Sequence, residues 1–267
     1  MMPFFQQFML GLVQGIFEWL PVSSEGVLLL VQSNLFNEID ITLFLKQALL
    51  LHLGTFFAAL IYFRRDIKEL FYSLLNYKKA DFETKKLLQF LIITTIISGV
   101  IGLAIFKFME LTSNIQYLLT GKIIMFIVGF FLLITGFLQL KAKSSGNRTI
   151  FHFNSTDNVL LGFMQGIAVL PGLSRSGLTV SSLLFRNFDN YTALRVSFLM
   201  SLPIVLFANI FLNFKDFVLI KSMLWALFFS FIFGLITIHL LMKVAEKVKF
   251  GGFIILVAVL MIIAAFI

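Results

Sequence analysis

Cysteine is absent and histidine is scarce, with no cysteine and three histidines among 267 residues. The first absence excludes disulfides and thiolate metal sites, and three scattered histidines exclude a histidine-rich zinc cluster. Any metal here must be held mainly by oxygen. Charge is thin too: 13% of residues are charged against 60% hydrophobic, at a mean hydropathy of +1.00. A soluble domain carries roughly a quarter charged residues, so the chain reads as a polytopic membrane protein. No cleavable leader is expected, because the N-terminal stretch lacks a basic segment and carries Gln6, Gln7, Gln14 and Glu18. In so apolar a chain the net charge of +8 sets topology and meets anionic headgroups rather than nucleic acid.

A spanning helix needs about 20 mostly apolar residues. Six windows qualify: 41–63, 87–106, 116–140, 190–213, 222–243 and 250–267. Two further stretches, 3–35 and 157–187, are helical apolar runs broken at Pro21 or Pro171 and followed by a short apolar run. That is the pattern of a re-entrant hairpin, whose exposed backbone must be covered by protein or line a cavity. The expected fold is therefore an all-α membrane protein with six transmembrane helices plus two re-entrant helical hairpins, a single integral membrane domain over 1–267. Three spans per half is odd, so halves 1–140 and 157–267 form an inverted-topology repeat. Lysine and arginine number thirteen on the connections of one face and three on the other. The richer face is cytoplasmic, which puts both termini and the mouth of the first hairpin outside.

The two hairpin stretches repeat each other. Leu12 to Gly26 reads LVQGIFEWLPVSSEG, and Phe163 to Gly177 reads FMQGIAVLPGLSRSG. Polar residues at bilayer depth are costly and are retained for function. Gln14 and Glu18, four apart, share a helix face. Pro21 ends that helix, leaving Ser23, Ser24 and Glu25 in a turn before a short helix whose N–H groups and dipole favour an anion. A hydroxyl there is either a nucleophile or a helix cap. The second turn presents Ser174, Arg175 and Ser176 before a helix opening near Gly177. A permanent cation in a membrane hairpin needs an acceptor: phosphate oxygens, which its planar fork suits, or an internal partner in Glu18 or Glu25. Gly172 and Gly177 let backbone approach a ligand or a neighbouring helix. Thr179, one turn past Arg175, bonds a phosphate or its own helix backbone.

His52 lies near the centre of the first span, as a packed hydrogen-bonded residue or a proton shuttle. Lys46 and Lys122 are near enough to span ends to snorkel. Arg186 and Arg195 are expected to anchor near the cytoplasmic face. The charged stretch 66–86 is expected to be an amphipathic cytoplasmic connection, solvated and with no role beyond topology.

The stretches QGIFEWLPVSSEG, PGLSRSG, HLGTFFAALIYFRRDI and RVSFLMSLPIVL resemble the signature stretches of the undecaprenyl pyrophosphate phosphatases, the bacitracin-resistance family, through almost the whole chain. The resemblance implies an integral membrane enzyme that removes the terminal phosphate of a polyprenyl diphosphate. The product is the monophosphate carrier used for cell-wall glycan synthesis. It also implies inverted hairpins and a pocket open to the outer face. By this resemblance Gln14 and Glu18 match the (E/Q)xxxE motif, Ser23 and Ser24 the serine pair, and Ser174, Arg175, Ser176 and Gly177 the PGxSRSG motif. Two positions depart. Val27 stands where the pattern SSxGH has histidine, and Glu25 stands where a small polar residue is usual. Either Glu25 or Glu18 takes over that histidine's role as base, with or without a bound metal, or substrate or activity has drifted.

Glu18, Ser24 and Arg175 are therefore expected to carry catalysis. Arg175 and the hairpin N–H groups would clamp a diphosphate while Ser24 attacks the terminal phosphorus or positions water. Gln14, Ser23, Glu25, Ser174, Ser176, Gly177 and Thr179 are expected to bind substrate. Glu18 accepts the nucleophile's proton or, with Glu25, holds a divalent cation, magnesium or calcium being suited to oxygen ligands. Expected partners are a polyprenyl diphosphate, the plasma-membrane bilayer and a second copy in a homodimer. The alternative is transport: broken helices in an inverted repeat also serve carriers, and a flippase for polyprenyl phosphate could use Arg175 without cutting anything.

Overall fold

A computed structural model describes residues 3–36, 41–111, 121–141, 146–170, 172–212, 221–244 and, near the C-terminus, 255–256, 258–260 and 262–263. Among these residues the only pairing of strand type is a single bridge between Arg148 and Phe188, and the rest is helix and turn. The broken apolar runs give short helices. From the first come α1 (Phe4–Phe17) and α2 (Ser24–Leu35); from the second come α7 (Ser155–Ile167) and α8 (Arg175–Phe185). At 1.5 Å per residue these arms are about 16 to 21 Å long, less than the roughly 30 Å of a hydrocarbon core.

Unbroken runs give α3 (Ile41–Tyr62), α5 (Phe82–Leu111), α9 (Asn190–Leu212) and α10 (Leu224–Val244). They supply four candidate membrane spans: Leu43–Tyr62, Phe82–Phe108, Asn190–Phe211 and Leu224–Val244. The expected window 116–140 corresponds to α6 (Gly121–Lys141), with 116–120 outside the described residues. The expected window 250–267 lies outside them as well, apart from the few positions near the C-terminus.

The stretch 66–86 is not one connection. It holds α4 (Arg64–Leu75), a short 3-10 turn at Tyr77–Lys79 and the beginning of α5. Asp81 accounts for the early start, because its carboxylate accepts the Thr84 N–H at 3.0 Å and so caps α5. That exposed carboxyl is held below its ordinary pKa by the Thr84 side-chain and backbone hydrogen bonds. Arg186 and Arg195 are more than headgroup anchors. Arg186 and Arg148 both grip the fully buried Asp157, with nitrogen to oxygen distances of 2.7 and 2.6 Å. Arg195 pairs with Asp66 and lies 3.6 Å from Glu83. A buried carboxylate left unpaired is costly, so these pairs tie together α4, α5, α7, α8 and α9.

Helix pairing follows the repeat. α1 packs along α10, and α7 packs along α5, so the first arm of each hairpin rests on a long helix of the other half. The long helices α3 and α9 meet each other, and α6 touches α2 and α8. Small residues set the first two contacts, as they do where helices pack without a hydrophobic drive. A Cβ on Gly15 would lie 2.7 Å from Gly234 N and 2.9 Å from Ser230 O. One on Gly166 would lie 2.7 Å from Ile101 Cβ and 3.3 Å from Ser98 Cα. These two glycines occupy equivalent places in the repeated QGI triplets. Overpacking a tight contact costs about 1–3 kcal/mol, so Gly15→Val and Gly166→Val should each lower thermal stability in detergent by that amount. Gly99, whose Cβ would meet nothing within 4 Å, is the control, and Gly99→Ala should leave the melting temperature unchanged.

Candidate functional site

Each elbow is built by a helix that stops, a turn, and a capped helix that starts. α1 ends at Glu18, whose N–H still bonds Gln14 O, and Pro21 removes a donor within the turn. Ser23 then caps α2 by accepting the Gly26 N–H at 3.2 Å. In the second elbow Ser174 caps α8 by accepting the Gly177 N–H at 3.1 Å. The cap and the free hydroxyl of the serine pair are thus different residues. Ser23 is the cap, while Ser24 donates its hydroxyl to Glu18 Oε2 at 2.8 Å. With the caps superposed, Ser24 and Arg175 occupy the same place, the first residue of a short helix.

The elbows meet. Arg175 Nη2 donates to Glu18 Oε1 at 2.7 Å, and Ser176 Oγ donates to Leu20 O at 2.7 Å. Gly177 is required where they touch, since a Cβ there would lie 2.4 Å from Thr135 Cγ2 and 3.0 Å from Pro21 O. Gly172 has φ +97°, and its Cβ would lie 2.6 Å from Val128 Cα; no L side chain suits that combination. Thr135 and Val128 belong to α6, which braces both elbows. Because α2 and α8 begin here, the positive ends of two helix dipoles face the meeting point.

Glu18 is at the centre, 7% exposed. Its Oε2 also accepts from Gln14 Nε2 at 3.0 Å and lies 3.0 Å from His52 Nε2. The Arg175 guanidinium sits over the Trp19 ring, 5.9 Å from its centroid, and its Nη1 donates to Ser197 O at 3.1 Å. Gln14 Oε1 and Trp19 Nε1 are buried with no hydrogen-bond partner among the described residues. Thr179 is fully buried, and its hydroxyl is taken by Arg175 O at 2.8 Å and Ser197 Oγ at 2.6 Å. It braces the backbone around Arg175 instead of facing a ligand. Ser174 and Ser176 hydroxyls lie 3.2 Å apart.

His52 and Trp19 are the site residues that the motifs did not assign. Trp19 adjoins Glu18 within the motif and reads as an apolar filler. His52 sits on an apolar helix, but Ala48, His52, Thr55 and Ala59 recur at helical spacing, and three of the four are fully or almost fully buried. That stripe of small and polar residues marks the inward face of α3 and was the available signal.

Glu18 Oε2 meets Gln14, Ser24 and His52 and Oε1 meets Arg175, and the two basic groups among them disfavour a cation beside this carboxylate. Glu18 does not fit as a metal ligand in this arrangement. Glu25 follows Ser24 and lies within electrostatic range of Glu18 and His52. Among the described residues no group of three or more histidine and carboxylate side chains is placed to hold an ion. One carboxylate together with substrate phosphates is a usual way of binding magnesium.

As a whole, the site joins a hydroxyl bonded to a carboxylate with a guanidinium that can be exchanged from that carboxylate to an anion. Comparison with known proteins points the same way. A protein of Methanococcoides burtonii named undecaprenyl-diphosphatase is 39% identical over 262 residues, covering 96% of each chain. Proteins of the same name from Haloarcula marismortui and Alkaliphilus metalliredigens are each 36% identical, covering 94% and 92% of this chain and 93% and 91% of their own. Residues 7–263 match the family described as bacitracin resistance protein BacA, and with both elbows inside that match the chain belongs to this family.

Proposed function

We propose that this chain is an integral membrane phosphatase that hydrolyses the terminal phosphate of an undecaprenyl-like diphosphate to the monophosphate lipid carrier. The observation that carries this is the linked set Ser24, Glu18 and Arg175, formed only where the two elbows meet. Hydrolysis of a phosphoric anhydride needs a nucleophile, a proton acceptor and compensation for charge on the leaving group, and the set offers each. The relatives' printed name states cleavage, and nothing in the site favours the transport alternative.

The topology we propose is six spans and two re-entrant hairpins entering from opposite faces, with the basic end cytoplasmic and the site open to the outer face. Short arms, mutual packing of the halves and the excess of lysine and arginine on the connections assigned to one face support it. On this reading the prenyl tail lies between helices while the headgroup reaches the elbows. Arg175 moves from Glu18 to the terminal phosphate, and Glu18, released from it, accepts the Ser24 proton. Ser24 Oγ forms a bond to phosphorus as the bridging P–O bond breaks, and its electron pair leaves on the prenyl monophosphate. Water then releases phosphate from the serine, with Glu18 taking part in the proton transfer. Ser174 and Ser176 shape the second elbow, and Gln14 orients Glu18. A divalent ion entering with the diphosphate would be held by Glu25 and would neutralise phosphate charge.

Purified protein in detergent, given a prenyl diphosphate with magnesium or calcium, should release inorganic phosphate. Arg175→Ala should cut the rate by roughly 10²–10³, and Glu18→Gln by about 10²–10⁴. Wild-type protein that releases no phosphate but moves headgroups across liposomes would reject hydrolysis. Release that survives Arg175→Ala would reject the clamp.

The serine pair is separable in the same preparation. Ser23→Ala should lower stability by about 1 kcal/mol through loss of the cap, read by thermal unfolding. Ser24→Ala keeps the cap, loses the bond to Glu18, and should abolish turnover in protein that still folds. Turnover retained by Ser24→Ala but lost in Glu18→Gln would make activated water the nucleophile.

A further inference from the structure

The steps above leave the contact between Glu18 and His52 unused. His52 Nδ1 lies 2.6 Å from Ala48 O. A carbonyl only accepts, so this nitrogen carries a hydrogen. Nε2, on the far side of the ring, faces Glu18 Oε2 at 3.0 Å, and a carboxylate is also an acceptor. A second proton therefore lies between ring and carboxylate, and His52 and Glu18 form a charge-assisted pair.

The position of the ring is fixed from behind. Ser230 of α10 donates to Leu51 O at 2.9 Å, and a Cβ on Gly54 would lie 2.6 Å from Leu227 O. The backbone on either side of His52, at Leu51 and at Gly54, is thus set against α10. α1, which carries Glu18, rests on the same helix through Gly11 and Gly15. α10 is thereby a common support that holds imidazole and carboxylate at bonding distance.

Glu18 has two basic partners on different oxygens, Arg175 on Oε1 and His52 on Oε2. When Arg175 turns to the diphosphate, a buried carboxylate would be left without a basic partner, which is costly, and free to rotate away from Ser24. We propose that His52 is a positioning residue of the reaction, whose Nε2–H holds the Glu18 carboxylate toward the Ser24 hydroxyl while Arg175 engages the substrate. The inference rests on the phosphatase reading. It assigns to α3 the only imidazole among the described residues at the elbows, where the short helix α2 carries Val27 one turn after Ser24.

The test compares two amides. A glutamine side chain can bring its N–H to about the place of Nε2, whereas asparagine is one methylene shorter. With a prenyl diphosphate in detergent, His52→Asn and His52→Leu should lower kcat by ~30-fold, as expected for losing a hydrogen bond to a charged group, with KM within about threefold of wild type. His52→Gln should recover kcat to within about fivefold of wild type. Size-exclusion profiles and thermal unfolding identify any variant that fails to fold, and the asparagine and glutamine pair decides if leucine does. Equal rates for Asn and Gln, or a loss confined to KM, would overturn the positioning role. Wild-type protein inactive in this assay would count against the phosphatase reading, whereas active wild type with unaffected variants would count against His52 alone.

Discussion

One buried carboxylate organises this molecule. Glu18 lies at bilayer depth on the proposed topology, where an ionised group survives only if its lone pairs are answered. The answers come from Gln14 on α1, Ser24 on α2, His52 on α3 and Arg175 on α8. α8 belongs to the other half of the chain, so satisfying one charge draws both halves to one point. The glycine contacts of α1 with α10 and α7 with α5 let the arms approach closely enough for those bonds to form. Packing and polar chemistry here are two aspects of one constraint.

Much of this was legible in the residues. Composition required a membrane protein, apolar runs located four spans to within a few residues, and Pro21 marked a break that the helices respect. The internal repeat located the elbows because polar residues at that depth stand out against their surroundings. Arg175 and Glu18 were legible as partners for a similar reason, since a cation in such a setting must find an anion. What escaped was whatever depends on a contact between elements. His52 has no neighbouring motif, and its role is decided by a carboxylate 34 positions earlier in the chain, brought near only by the shared support of α10. For Thr179 the spacing left a phosphate or its own helix backbone open, and the hydroxyl bonds Arg175 O and meets Ser197 on α9. The early start of α5 turned on Asp81, a local cap that an apolar window cannot register.

The polar end of the bundle obeys the same rule in a different solvent. Asp157, fully buried, holds Arg148 and Arg186, and Asp66 holds Arg195. A polar cleft of about 270 Å³ lined by Asp66, Glu69, Asp81, Glu83 and Arg195 lies among these groups and includes no residue of the elbows. Near a polar face such pairs keep water within reach, so they fix how helix ends join without demanding a ligand. At the elbows the pair of Arg175 with Glu18 lies among buried hydroxyl and amide groups, and on the proposed mechanism it exchanges for substrate.

The two elbows share a backbone and differ in what it carries. Both short helices begin with a capping serine that accepts from the third residue onward, a glycine in each case. The residue after the cap is Ser24 in one and Arg175 in the other, so the same geometric position presents a hydroxyl from one side and a guanidinium from the other. An exact two-fold copy would place two like groups face to face: two hydroxyls would lack charge compensation for a leaving phosphate, and two guanidiniums would repel and lack a nucleophile. Glu18 breaks the symmetry further, since the second copy lacks the residue that would answer it and runs through Ala168 and Val169 instead. Chemistry on an anhydride is itself polar along the bond being cut, with attack on one side and departure on the other. A repeat that has kept its fold while its elbows differ in side chain supplies that polarity.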